Sequence, residues 1–154
     1  MKPLPDNCFM YRLRMVRTWG HLRNYRGHNV HSPFAYSLIR KAIVPHSMDG
    51  TENRLFEQAR AHGLSHRASV QLQNLQLHCP GHRMLLVPAG SLPQPGSAPK
   101  SDRMIHCILH PRLTRERLRQ CREAIARHNG MSIDNRRYIL LFHDSRLSKK
   151  HYRL

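Results

Sequence analysis

The chain has 154 residues, the length of one domain of ordinary size, and carries 26 Lys and Arg against 9 Asp and Glu, for a formal charge of +17. Four scattered cysteines, Cys8, Cys79, Cys107 and Cys121, form no CxxC pair, which argues against a secreted disulfide scaffold. No stretch approaches the ~18 apolar residues of a membrane span, and the opening MKPLPDN reaches no apolar run of signal length, so a cytoplasmic protein is expected.

The acids are unevenly placed. None lies between Asp6 and Asp49, and none between Glu57 and Asp102, which leaves two long cationic stretches. Such a field attracts nucleic acid or another polyanion, although a solvated basic surface has the same composition. Arg outnumbers Lys, and its planar fork matches phosphate and carboxylate better than a point charge does.

Residues 8–24 place Phe9, Leu13, Val16 and Gly20 near one helical face, with Arg12, Arg14, Arg17 and Arg23 around the others, and predict a basic amphipathic helix. Ser32 followed by Pro33 reads as a cap and a first-turn proline, and Phe34, Leu38 and Ala42 recur behind them, predicting a helix over 33–44. Thr51 and Glu52 open a third helical segment, with Leu55, Phe56 and Ala59 inward and Gly63 as its stop. Over 65–77 the apolar positions Val70, Leu72, Leu75 and Leu77 fit neither period cleanly; helix is the preferred reading.

Residues 84–87 and 104–109 are short apolar runs of buried-strand length, each followed by proline at 88 or 111. Between them the Pro, Gly and Ser content of 89–101 predicts a loop or linker. Thr114 caps a helix carrying Leu118, Cys121, Ile125 and His128 at helical spacing, closed by Asn129 and Gly130. Tyr138 to Phe142 is another strand-like run, and LSKKHYRL a further short strand or tail. The predicted fold is α/β: a helical segment over 1–63 and a reduced α/β segment over 64–154, in one domain.

Two segments resemble a bacterial branch of the class I S-adenosylmethionine-dependent methyltransferase-like proteins. In RGHNVHSPFAYSLIRKAI, residues 26–43, the positions Gly27, His28, His31, Ser32, Pro33 and Phe34 are similar to that branch's N-terminal helical signature. MSIDNRRYILLFHDSRLSKKHYRL, residues 131–154, is similar to its closing pair of strands. The resemblance implies a Rossmann-like sheet with helices on both faces, S-adenosylmethionine bound beyond the strand ends, and methyl transfer to an oxygen or nitrogen. This chain departs from the pattern where the cofactor would sit. Residues 64–90 hold no GxGxG-like run, and no carboxylate lies between 57 and 102 to hold ribose hydroxyls. The strand ending in Cys107, Ile108, Leu109 and His110 also lacks the expected acid. A reduced Rossmann-like sheet without an intact cofactor site is therefore expected, and no catalytic residue is assigned.

HCxxH occurs twice, at 78–82 and 106–110, and Cys79, His82, Cys107 and His110 could in principle assemble a zinc site. Against it, residues three apart on a strand point to opposite faces. His28 and His31 read as structural residues beside a cap, Cys121 as a small buried hydrophobe and Asp134 beside Asn135 as a turn residue.

The alternative to a methyltransferase-like protein is a small basic nucleic-acid-binding protein. Its candidate phosphate contacts are Arg112, Arg115, Arg117, Arg119 and Arg122 on or beside one helix, with Arg136, Arg137, Arg146, Lys149 and Lys150 as a second patch. Only Tyr138 and Tyr152 stand near these charges as stacking groups, which predicts electrostatic binding without sequence readout.

Overall fold

The computed structural model describes residues 30–91 and 103–154. The predicted helix over 8–24, Gly27 and His28, and residues 92–101 of the predicted linker lie outside them.

Helix α1, Pro33–Leu38, starts as its sequence dictates: Ser32 is extended and its hydroxyl accepts from the Ala35 amide at 3.3 Å. It continues as a π-helical turn, Ile39–Ile43, closed by the Val44 amide donating to the Ile39 carbonyl. The wider turn keeps Ile39, Ala42 and Ile43 buried beside Ala35 and Leu38. Helix α2, Arg54–Ala61, begins later than Thr51 suggests, because its cap comes from elsewhere in the chain. The Gln73 side-chain oxygen accepts from the Leu55 and Phe56 amides, both at 3.0 Å. Gly63, at φ +80°, ends α2 in the left-handed conformation that glycine tolerates best.

Helix α3, His66–His78, is the centre of the helical layer, with residues 68–75 all buried. Its buried polar side chains explain why 65–77 showed no clean period. Gln71 donates to the Ile43 carbonyl and accepts from Asn135 and the Tyr138 hydroxyl. Gln73 caps α2, while Asn74 donates to the Ser47 carbonyl and accepts from the Asp49 amide. These groups clamp loop backbone that would otherwise be buried without partners.

Five strands follow: β1 Arg83–Val87, β2 Met104–Leu109, β3 Met131–Asp134, β4 Tyr138–His143 and β5 Lys150–Arg153, with helix α4, Arg115–Arg127, between β2 and β3. The sheet order is β1-β2-β4-β3-β5. β1 is parallel to β2 and β3 to β5, while β4 is antiparallel to both its neighbours. Four strands thus run one way, and the tight turn after β3 folds β4 back between β3 and β2. The fold is α/β with an N-terminal helical segment, consistent with a Rossmann-like arrangement.

Strand alternation divides the core. Ile105, Cys107, Leu109, Ile133, Tyr138, Leu140 and Phe142 pack under α1 to α3, and Val87, Ile108, Ile139 and Leu141 pack under Cys121 and Ile125 of α4. β5 completes the first cluster through Tyr152, and Leu154 follows it. No helix of the described residues is long and apolar enough to cross a membrane.

On the α4 side, three imidazoles meet where the sheet runs out of apolar residues. His143 Nε2 lies 3.0 Å from His106 Nδ1, and the His128 ring stands 4.9 Å from that of His143. Burial, then the neighbouring His106 and His128, lowers His143 from the ordinary 6.5 to about 4; burial also lowers His106 and His128, beside the latter of which lies Lys149. Unfolded imidazoles therefore bind protons in a range where the folded ones do not. Stability is full above about pH 6.5 and falls as pH drops toward 4. Thermal melts should show Tm falling over that interval, and His143→Asn should flatten the decline; a wild-type Tm unchanged from pH 7 to 4.5 would contradict the assignment.

Candidate anion-binding site

The carboxyl ends of the parallel strands in a doubly wound sheet are where such folds take ligands. In this chain the ends of β1 and β2 are closed by the protein's own side chain. Arg117, in the first turns of α4, is 6% exposed and turns its guanidinium back toward the sheet. Nε donates to the Leu109 and His110 carbonyls, Nη1 to that of Ser91 at 3.0 Å, and Nη2 to those of Pro88 at 3.0 Å and Leu109 at 2.8 Å. Thr114 sets the geometry by capping α4, its hydroxyl accepting from the Arg117 amide at 3.0 Å. Arg117 therefore leaves the set of surface phosphate contacts that its spacing suggested: its donors are committed to carbonyl oxygens.

Beside this hub, a cavity of about 430 Å³ opens at the ends of β2 and β3. Arg60 from the last turn of α2, Arg112 from the connection after β2, and Arg136 and Arg137 from the β3–β4 turn line it. His110 and Ser65, with the backbone around Gly63, complete the polar wall, and Leu64 and Leu113 the apolar one.

Three of the four guanidiniums are held, each by a different group. Arg112 donates twice to the buried Asp134 carboxylate, at 3.2 and 3.0 Å, with its own side chain 37% exposed. Arg137 donates to the Ser65 hydroxyl at 2.8 Å, and Arg60 to the Leu64 carbonyl at 2.6 Å. Arg136 is exposed, and no side-chain partner for it occurs among the described residues. One carboxylate thus stands behind four cations.

The backbone is bent to suit. His110 (φ 50°), Arg136 (φ 70°) and Gly63 are all left-handed, and the first two are not glycine. Asp134 and Asn135 stabilise the β3–β4 turn, as expected of a turn pair, by accepting from the Arg136 and Arg137 amides at 2.8 and 3.2 Å. His110 donates from Nε2 to the His62 carbonyl at 2.8 Å, tying the end of β2 to the end of α2. The Ser65 hydroxyl also accepts from the Ala68 amide at the amino end of α3, so the residue that caps that helix lines the same space.

The remaining sequence candidates are dispersed. Arg119 is shared between Glu116 and Glu123 on the outer face of α4, and Arg115 and Arg122 are exposed on that helix. Arg146 pairs with Asp144 at 2.7 Å, which holds that carboxyl far below its usual range. Lys149 donates to the Ala126 carbonyl near the far end of α4, and Lys150 is exposed on β5. Arg112, Arg136 and Arg137 are brought together, and Arg60, Ser65 and His110 join them without having been singled out as contacts. Gly63, two residues before Ser65, and His110, as a candidate zinc ligand, are the marks that corner carries in the sequence.

Neither candidate tyrosine is placed for stacking: Tyr138 is fully buried with its hydroxyl on Gln71, and Tyr152 is 6% exposed. Cys79, His82, Cys107 and His110 do not gather, and no group of three or more His, Cys, Asp or Glu side chains among the described residues is placed to hold a metal ion. His82 is instead paired with Asp144 at 3.1 Å, and burial raises the Cys79 thiol to about 11. No family model matches the chain, nor does any curated protein or solved structure.

Because Arg117 satisfies carbonyls from two strand ends and their following loops, its removal strands several acceptors at once. Arg117→Met should cost about 3 kcal/mol in urea unfolding, and Arg117→Lys should recover only part, since an ammonium lacks the fork that reaches five contacts. A loss under about 0.5 kcal/mol for Arg117→Met would show that the hub is dispensable.

Proposed function

We propose that this chain is a methyltransferase-like α/β protein that has no seat for S-adenosylmethionine and acts without chemistry, holding nucleic acid or another polyanion through electrostatic contacts to phosphate. The observation that carries the reading is the four-arginine cavity at the ends of β2 and β3. The methyltransferase-like half draws on the HSPF segment, which caps and fills α1 through Ser32 and Phe34, and on the closing β3–β4 pair with β5 beside it.

S-adenosylmethionine does not fit the residues present. An adenosyl ligand at the ends of β1 and β2 needs close approach to backbone and a carboxylate for the ribose hydroxyls. Here Arg117 occupies the carbonyls of both strand ends, and no Asp or Glu lies between 57 and 102. A fixed cation in that position also repels the positively charged sulfonium of the cofactor.

Polyanion binding follows from charge rather than base readout. The chain carries +17, the cavity concentrates cations, and Tyr138 and Tyr152 are withdrawn from stacking. Buried free thiols at Cys79, Cys107 and Cys121 suit a reducing compartment such as the cytoplasm.

Fluorescence anisotropy with a labelled single strand tests the reading. If four phosphates are neutralised, the logarithm of affinity should fall against the logarithm of salt with a slope of about −3. Absence of binding at low salt, or an affinity indifferent to salt, would overturn the polyanion half. A stoichiometric calorimetric isotherm with S-adenosylmethionine would overturn the other half.

A further inference from the structure

We infer that the cavity between α2, the end of β2 and the β3–β4 turn is a seat for one phosphomonoester, the terminal phosphate of a nucleotide or of a nucleic-acid strand end. The inference rests on the anion-binding reading above and narrows it to one chemical group.

The first reason is the concentration of charge. Arg60, Arg112, Arg136 and Arg137 reach the cavity from three separate stretches of chain, against the single carboxylate of Asp134. That carboxylate is 7% exposed and already accepts from Arg112 and from the Arg136 amide. The excess is therefore about three cations at one point. A phosphodiester brings one negative charge and two free oxygens, whereas a monoester at neutral pH brings nearly two charges and three acceptor oxygens, the better match to converging guanidinium forks.

The second reason is the number of donors still unused. Arg60 and Arg137 each commit one Nη group to a neutral acceptor, which fixes the side chain and leaves other N–H groups free. Arg136 has no side-chain partner among the described residues, and its left-handed backbone is locked by Asp134. Two forks held by different anchors, beside a third whose backbone alone is fixed, form a partly preorganised cradle, so less side-chain entropy is lost on binding.

The third reason is size. At about 430 Å³ the cavity falls in the lower part of the ~300–1,000 Å³ range of small-molecule sites and is far larger than a phosphate alone. Leu113, 64% exposed, gives the space an apolar flank against which the sugar or base carrying the phosphate can lie.

Calorimetry in physiological salt tests the inference with AMP, adenosine, inorganic phosphate, and one oligonucleotide made with a 5′-phosphate and with a 5′-hydroxyl. AMP should bind at least tenfold tighter than adenosine, with inorganic phosphate competing. Arg136→Gln should weaken AMP about tenfold at unchanged Tm, while Lys41→Gln, on the π-helical turn after α1, should not. A tenfold preference for the 5′-phosphorylated strand would identify strand ends as a source; AMP binding without that preference would identify free nucleotides. Equal affinity for AMP and adenosine, or an Arg136→Gln variant that binds AMP as wild type does, overturns the seat. Salt-sensitive binding of both oligonucleotides together with no AMP binding removes the seat and leaves the polyanion reading. AMP binding with neither oligonucleotide bound does the reverse.

Discussion

A buried arginine holding the ends of two strands is the contact on which the upper edge of this molecule depends. Arg117 contributes donors to Pro88, Ser91, Leu109 and His110, so the chain leaving β1 and the chain leaving β2 are fixed to α4 and to each other. Burying a cation is costly, and here the cost is offset by spreading its donors over carbonyl dipoles. Parallel strand ends present those carbonyls together, and a planar five-donor fork is the side chain able to reach them at once. With the strand ends tied down, His110 turns left-handed and the chain carries Arg112 out beside Asp134.

The same edge in a cofactor-binding sheet is left open, with glycines to let a ligand approach the backbone. Here the Arg117 side chain fills that edge, and the arginines of the cavity stand one step along it, toward α3. Their placement is coherent with the helical layer. His110 reaches the end of α2, Arg137 reaches the cap of α3, and Asn135 and Tyr138 both donate to Gln71 inside α3. The cavity walls are thus hydrogen-bonded into both layers and are not a loose surface cluster.

Much of the architecture was legible in the sequence because local chemistry decided it. Ser32 with Pro33 and Thr114 with its helical repeat marked two helices, and both hydroxyls cap as expected. The apolar runs of β2 and β4 are buried along almost their whole length, as a central pair should be. Helix α3 was obscure because it is buried on nearly every side, and its Gln71, Gln73 and Asn74 serve loops distant in sequence. The start of α2 was misplaced for the same reason: its cap is a glutamine on another helix. Arg117 looked like its neighbours on a basic helix, since spacing does not tell a guanidinium that faces carbonyls from one that faces water. Arg60 was missed because only the turn at Gly63 brings α2 to the end of β2.

An oxyanion site built by four arginines at this edge, next to the strand ends that Arg117 closes, should hold a tetrahedral dianion. Tungstate is such a dianion, with strong anomalous scattering. In crystals soaked in it, the principal anomalous peak should lie within hydrogen-bonding distance of Arg136 and at least one of Arg60, Arg112 and Arg137. Principal peaks confined to the outer face of α4 or to the lysines of β5, with none in the cavity, would contradict it.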